Sequence, residues 1–196
     1  MPIRLLLCCL LALPAVVGAD AGDGQFMGYR LGTEYPAPPR DVGVTTTGNL
    51  LIAAENPIKP ADIVQVSLIA TPESRTIGYI IAASWYATEG EAREVARRYI
   101  ELLRAKYADW TLGRETMDAS LRIVEVNFDK APHNLQLRLD RDEQDGRSTW
   151  RFSMSLGWQR ESEEWRAWQS KAIAEHSAAK ATEHEQVLKE SDIRGL

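Results

Sequence analysis

Cysteine is almost absent from this 196-residue chain, and its two cysteines, Cys8 and Cys9, both lie in an apolar N-terminal segment. If that segment is removed as a signal peptide, the remaining protein has no thiol. Disulfide bonds, cysteine nucleophiles and thiolate metal sites are then excluded together. The fold must therefore depend on an apolar core, and about 175 residues are enough for one domain with such a core.

The N-terminal segment has the three-part layout of a secretory signal peptide. Arg4 precedes an apolar run over residues 5–13, and small residues follow it. The run is too short for a bilayer span, which takes about 20 apolar residues, and neither cysteine follows the small residue that lipid attachment requires. We expect residues 1–19 to be a cleaved signal peptide, a mature chain that begins near Asp20 or Gly22, and an exported, periplasmic protein.

The chain also lacks a basic stripe and a second long apolar run. Its formal net charge is −5, and loss of Arg4 with the signal peptide makes the mature protein more acidic. Nucleic-acid binding depends on Lys and Arg that neutralise phosphates, and attraction to anionic lipid depends on clustered cations. We therefore expect no nucleic-acid partner and no stable membrane insertion after signal cleavage.

Hydrophobic patterning predicts strands followed by an amphipathic helix. Residues 63–70 and 76–86 are rich in β-branched and aromatic side chains and are separated by the turn sequence TPES, which favours an antiparallel hairpin. Thr88 and Glu91 then fit a capping box. The apolar residues that follow recur at three- and four-residue steps as far as Tyr107, which predicts a helix that lies on a sheet.

Strand patterns resume after this helix, and a second helix ends the chain. Apolar and polar residues alternate cleanly over residues 135–140 and 148–158, and residues 121–128 are a further candidate. From Glu161 onward no glycine or proline occurs before Gly195, which predicts a long helix.

Mostly hairpin-type connections favour one α+β domain over residues 20–160. We expect an antiparallel sheet of about five to six strands with one amphipathic helix packed on it. The C-terminal helix, over residues 161–196, has no apolar stripe between Ile173 and Val187, so we expect its distal half to be exposed.

The chain has only three histidines, and two of them, His176 and His184, lie on the predicted last helix. Eight residues apart, they are about 12 Å apart along a helix axis and about 80° out of register. Zinc-binding pairs on a helix are normally four apart, as in H-E-x-x-H, and here that position is Lys180. We predict a solvated helix face with no metal site and no cofactor.

The sequence has few motifs that are typical of catalytic sites. His133 falls in the predicted turn APHN, where a single histidine is typically exposed, and no nucleophile elbow, P-loop or dinucleotide fingerprint occurs. One cluster of carboxylates is typical of a solvated hairpin tip, whereas glycoside hydrolysis needs one acid in a partly apolar cleft. The cluster consists of Asp140, Asp142, Glu143 and Asp145. We predict no catalytic residue.

The tryptophans are the most informative residue class. They either build the core where the last helix docks, or leave an apolar surface between helix and sheet that contacts a partner or a ligand. The five candidate contacts are Trp85, Trp150, Trp158, Trp165 and Trp168.

Three functions remain open from the sequence. The first is an exported, non-catalytic binding or accessory protein of the bacterial cell envelope, whose partner is another envelope protein. The alternative is a carrier of a small apolar ligand in a cleft between helix and sheet. The third is a hydrolase that uses carboxylates or His133.

Overall fold

The structure is a computed structural model that describes residues 21–36, 42–55, 60–118, 123–144 and 147–194. The predicted signal peptide, residues 1–19, and the predicted hairpin turn at residues 145–146 lie outside these ranges. Within them, no helix is both long enough and apolar enough to cross a membrane.

Two short strands form a hairpin of their own, and eight strands form the main sheet. The hairpin pairs β1 (Gln25–Phe26) with β2 (Tyr29–Arg30). The strands of the main sheet are, in chain order, β3 (Val42–Val44), β4 (Leu50–Ala54), β5 (Gln65–Ala70), β6 (Ile77–Tyr86), β7 (Thr111–Asp118), β8 (Ile123–Lys130), β9 (His133–Gln144) and β10 (Arg147–Trp158). The two α-helices are α1 (Glu89–Lys106) and α2 (Glu163–Arg194).

The main sheet consists of two antiparallel meanders that meet at β6 and β10. Its spatial order is β3-β4-β5-β6-β10-β9-β8-β7, so α1 carries the chain from the middle of the sheet to the β7 edge. Ser84 pairs with Phe152, and Ile80 pairs with Leu156. The predicted α+β class with an antiparallel sheet and a long C-terminal helix is confirmed, whereas the predicted count of five to six strands is wrong.

The strands that sequence patterning missed lie at the two edges of the sheet. β3 has only three residues, and all of them are exposed. β7 reads TLGRETMD, which has no two-residue alternation, and Leu112 in it is 43 % exposed. Strands are predicted from sequence by the alternation that one buried face produces. These edge strands bury few side chains, so the alternation is absent and the strands were missed.

Two strands form the N-terminal hairpin, where the sequence QFMGYRL, residues 25–31, predicts only one short strand. Met27 and Gly28 have φ angles of 51° and 83°, which are the positive values that a tight two-residue hairpin turn requires. The hairpin and the chain after it then cover one end of the main sheet, where Gly32 donates to the Ile77 carbonyl at 2.8 Å. Phe26 and Leu31 are buried there.

The core lies between α1 and one face of the sheet, which we call the inner face. The capping box forms as predicted, with the Glu91 N–H donating to Thr88 Oγ1 at 3.3 Å. The buried side of α1 begins with two alanines, which bring the helix close to the strands, and Tyr99 packs on Phe152 with ring centroids 5.2 Å apart. The inner-face residues include Val66, Leu68, Ile80, Ala82, Val126, Phe128, Leu135, Leu137, Leu139, Phe152, Met154 and Leu156.

The first half of α2 closes one end of the sheet. The Trp168 indole N–H donates to the Thr76 carbonyl at 2.8 Å, and Lys171 donates to the Thr76 hydroxyl at 2.8 Å. Glu175 accepts from the backbone N–H of Ser74 at 3.1 Å and from its hydroxyl at 2.6 Å. Burial acts to raise the pKa of Glu175, but the hydrogen bonds it accepts outweigh that effect and lower the pKa.

Gly78 makes room for this docking. The register between β5 and β6 shifts there, since Ile69 pairs with Tyr79 while Ala70 pairs with Ile77. A Cβ on Gly78 would lie 2.2 Å from Cε2 of Trp168. The indole therefore occupies the space of a missing side chain, and any larger residue must displace it.

We predict that Gly78→Ala lowers the free energy of unfolding by about 1–3 kcal/mol, the usual cost of overpacking. Urea denaturation followed by tryptophan fluorescence measures this. The matched control is Gly90→Ala in the first turn of α1, where an added Cβ meets nothing within 4 Å; it should raise the free energy of unfolding by about 0.5 kcal/mol. Equal stability of the two variants would contradict the assigned role of Gly78.

Candidate functional site

The face of the sheet opposite α1, the outer face, is polar across β8, β9 and β10. Asn127 pairs with Gln136, which pairs with Ser155. One step along the strands, Asn134 lies between Asp129 and Gly157. Because side chains alternate between faces along a strand, these polar groups all project to the same side.

An open groove of about 790 Å³ lies at one end of this outer face. That volume is within the range of about 300–1,000 Å³ found for small-molecule sites. Tyr79 on β6 borders the groove on one side, and the edge of β7 borders it on the other. The remaining wall is the chain before α2, held where the Gln159 N–H donates to the Pro132 carbonyl at 2.7 Å. The lining residues are Tyr79, Asp109, Thr111, Asp129, Lys130, Ala131, Asn134, Gln136, Ser155, Gly157, Trp158, Gln159, Arg160 and Glu161.

Two glycines shape the floor of the groove. A Cβ on Gly157 would lie 2.4 Å from Cε1 of Tyr79, so the tyrosine ring lies across the backbone of β10. A Cβ on Gly113 would lie 2.6 Å from Oδ2 of Asp129, so this carboxylate leans over β7. Without these glycines, both polar side chains would be pushed away from the floor.

Side-chain hydrogen bonds fix the orientation of the amides in and beside the groove. Asn134 Nδ2 donates to Asp129 Oδ1 at 2.7 Å. Gln136 Nε2 donates to Glu125 Oε1 at 3.0 Å, and Asn127 Nδ2 donates to the same oxygen at 3.2 Å. The carboxylates of Asp129 and Glu125 thus accept hydrogen bonds from the amide N–H groups. The amide carbonyl oxygens of Asn134 and Gln136 remain as acceptors for a ligand.

The charges of the groove nearly balance. Lys130 forms an ion pair with Asp109, and its hydrogen bond lowers the pKa of that carboxyl. Burial raises the pKa of Tyr79, and the positive charge of Arg160 acts in the opposite direction. Tyr79 therefore stays a neutral hydroxyl at physiological pH. Among the described residues, no carboxylate lies within ion-pairing distance of Arg160.

The tryptophans singled out from the sequence do not form one surface. Trp158, Trp165 and Trp168 meet at the docking point of α2, with ring centroids 6.4 Å and 5.3 Å from Trp168. Trp150 is near the opposite end of β10, about 26 Å away along the strand. Trp85 lies on the outer face, where its indole N–H donates to Asp142 Oδ2 at 2.9 Å.

His133 is buried, and its predicted place in an exposed turn is wrong. It is the first residue of β9 and is 8 % exposed. The N-terminal segment covers it, since a Cβ on Gly24 would lie 2.9 Å from its Nε2. Sequence patterning missed this because the covering residues are about a hundred positions away. Among the described residues nothing hydrogen-bonds its Nδ1.

Asp140 also departs from its predicted place at a solvated hairpin tip. It lies within β9, is 7 % exposed and accepts from Arg151 Nη2 at 2.8 Å. Arg138 Nε is 3.1 Å away, as an ion pair without hydrogen-bond geometry. The prediction failed because β9 and β10 continue as a paired ladder past this position, to Gln144 and Arg147.

The two histidines of α2 lie in different surroundings. His176 is half-buried and packs against Gly48, which has a positive φ angle of 82° in the turn after β3. His184 is exposed. In the described ranges, no group of three or more His, Cys, Asp or Glu side chains is placed to hold a metal ion.

Apart from Trp158, the residues that build the groove were not singled out from the sequence. Asn134, Gln136 and Ser155 occupy the polar half of alternating strands, a pattern that indicates only a solvated face. The one signal was Gly157, which leaves its position on the outer face of β10 without a side chain.

Comparison of the chain with protein-family profiles, with curated proteins and with solved structures finds no match. The function is therefore inferred from the geometry of the molecule itself.

The burial of His133 predicts a pH-dependent stability. Burial lowers its pKa below the usual 6.5, although the carboxylates of Glu164 and Asp23 oppose the shift. As pH falls through 6.5 the unfolded chain takes up the proton first, so the free energy of unfolding should decrease toward acid pH. Denaturation series from pH 7.5 to 5.5 should show a smaller decrease for His133→Gln than for the wild type.

The matched control for this series is His184→Gln on the exposed part of α2. It should keep the wild-type dependence, because its side chain is exposed. If His133→Gln and His184→Gln show the same dependence as the wild type, the burial of His133 does not control acid stability.

Proposed function

We propose that this chain is an exported, non-catalytic binding or accessory protein that acts by contact with another protein of the bacterial cell envelope. The projecting half of α2, residues 177–194, is the contact element. The observation that carries the proposal is the exposure of every residue from 177 to 186, which follow the contacts of Glu175 with Ser74 and of His176 with Gly48. About 18 residues, or about 27 Å of helix, extend past that point.

A helix of this length without packing is marginal when isolated, because its first turn is costly to nucleate. Here the docked half of α2 supplies the nucleus, and Trp168 and Glu175 fix its direction. Ala178, Ala179 and Ala181 then favour continuation of the helix by their high intrinsic propensity. The result is a defined rod, which offers a preorganised surface at low entropic cost on binding.

The charges of the projecting half indicate the chemistry of its partner. Lys180, Glu183 and Glu185 are all exposed, and no apolar stripe accompanies them over residues 177–186. Such a surface matches a polar partner with complementary, mixed charges, and electrostatic complementarity governs the rate and specificity of such contacts more than their affinity.

The burial of the tryptophans supports contact over the carriage of a small apolar ligand. Trp150, Trp158 and Trp168 are 7 %, 8 % and 5 % exposed. The space between the start of α2 and the sheet is filled by rings, including the edge-on pair of Tyr79 and Trp165 at 5.6 Å. A carrier would need that space to be open.

Site-specific photo-crosslinking in the intact envelope tests the proposal. A photoreactive residue at Ala178 or Ala181 should give the same discrete heterologous product, whereas one at the exposed Arg97 on α1 should not. Reversal of two charges, Glu183→Lys with Glu185→Lys, should reduce the product several-fold because charge complementarity is lost. No product from α2, equal product from Arg97, or a product that contains only this chain would each overturn the proposal.

A further inference from the structure

We propose that the outer-face groove is a binding site for a neutral carbohydrate, a function distinct from the contact made by α2. Residues of five strands and of the chain before α2 converge there on one space of about 790 Å³. Three features of that space point to the class of ligand: its mixture of donors and acceptors, its near-balanced charge and its aromatic border.

The groove is lined by both hydrogen-bond donors and hydrogen-bond acceptors. The hydroxyls of Ser155 and Tyr79 both donate and accept, and the carbonyl oxygens of Asn134 and Gln136 accept. Arg160 adds N–H donors at the wall. A sugar hydroxyl is itself both donor and acceptor, so a ligand rich in hydroxyls can satisfy every group of this lining, whereas a purely accepting or purely donating ligand cannot.

The charge balance argues for a neutral ligand. With Asp109 and Lys130 paired, the remaining ionisable groups on the lining are Asp129, Glu161 and Arg160. A phosphate, sulfate or carboxylate ligand would lie close to the carboxylates of Asp129 and Glu161. A cationic ligand would lie close to the guanidinium of Arg160. Each would involve a like-charge contact in a partly desolvated site, which is unfavourable.

Tyr79 provides an apolar surface at one side of the groove. Its ring is fixed by edge-on contacts with Trp165 and Trp168, at centroid distances of 5.6 Å and 6.2 Å, and by Gly157 beneath it. Aromatic rings attract the positively polarised C–H groups of a neighbour through their quadrupole, and the C–H faces of a sugar ring are such groups. A ring held in place in this way needs no reordering when a ligand binds.

Isothermal titration of the purified exported protein tests the proposal with four neutral tetrasaccharides (cellotetraose, maltotetraose, chitotetraose and a β-1,3-linked glucose tetramer) and with acidic tetragalacturonate. We expect at least one neutral tetrasaccharide to bind, and to bind about tenfold or more tightly than the acidic one. That factor corresponds to about 1.4 kcal/mol. Failure of every neutral probe to bind, or tighter binding of tetragalacturonate, overturns the proposal.

A matched pair of variants on β10 locates the site. Ser155→Phe fills the groove and should weaken binding about tenfold or more. Ser153→Phe, two residues away on the same face but outside the lining, should leave affinity within about twofold. Thermal unfolding of both variants checks that they fold. Retention of affinity by a folded Ser155→Phe protein, or equal loss in both folded variants, contradicts the groove as the site. Because α2 beyond residue 176 takes no part, this outcome is independent of the crosslinking experiment.

Discussion

The contact between Trp168 and the backbone at Gly78 is the constraint on which the rest of this molecule depends. The indole occupies the space of the missing side chain and donates to the Thr76 carbonyl at 2.8 Å. This contact therefore fixes the position of α2 and of the segment before it, which forms one wall of the groove. It also fixes the ring of Tyr79, which packs against Trp168. Both proposed binding surfaces, the projecting helix and the outer-face groove, follow from this one docking point.

The groove lies on the outer face because the two faces of the sheet differ in composition. The inner face is covered by α1 and the N-terminal segment, and its residues are almost fully buried. On the outer face, the meander from β7 to β10 carries polar residues that bond to one another, as in the Gln136 to Glu125 contact at 3.0 Å. Satisfied polar networks of this kind fix side-chain orientation, which is what a hydrogen-bonding site requires.

Sequence patterning predicted the parts of the fold in which local and global preferences agree. Sequence patterning predicted helix α1, with its capping box at Thr88, and the alternating strands around Phe152. In these elements the spacing of the apolar residues matches the face that is buried. The edge strands and the burial of His133 were not predicted, because they depend on contacts between residues far apart in the chain. The groove was the least predictable feature, since Asn134 and Gln136 acquire a role only when five strands come together around it.

The claim that α2 is a directed rod, held at Trp168 and extended beyond the sheet, is tested most directly by a distance measurement across the molecule. Removal of residues 1–19 would leave no native cysteine, so spin labels can be placed at Gln186 and at Arg97 alone and their separation measured by pulsed electron resonance. The account predicts a single narrow distance distribution that broadens in Trp168→Ala. A broad distribution in the otherwise unaltered protein would contradict it.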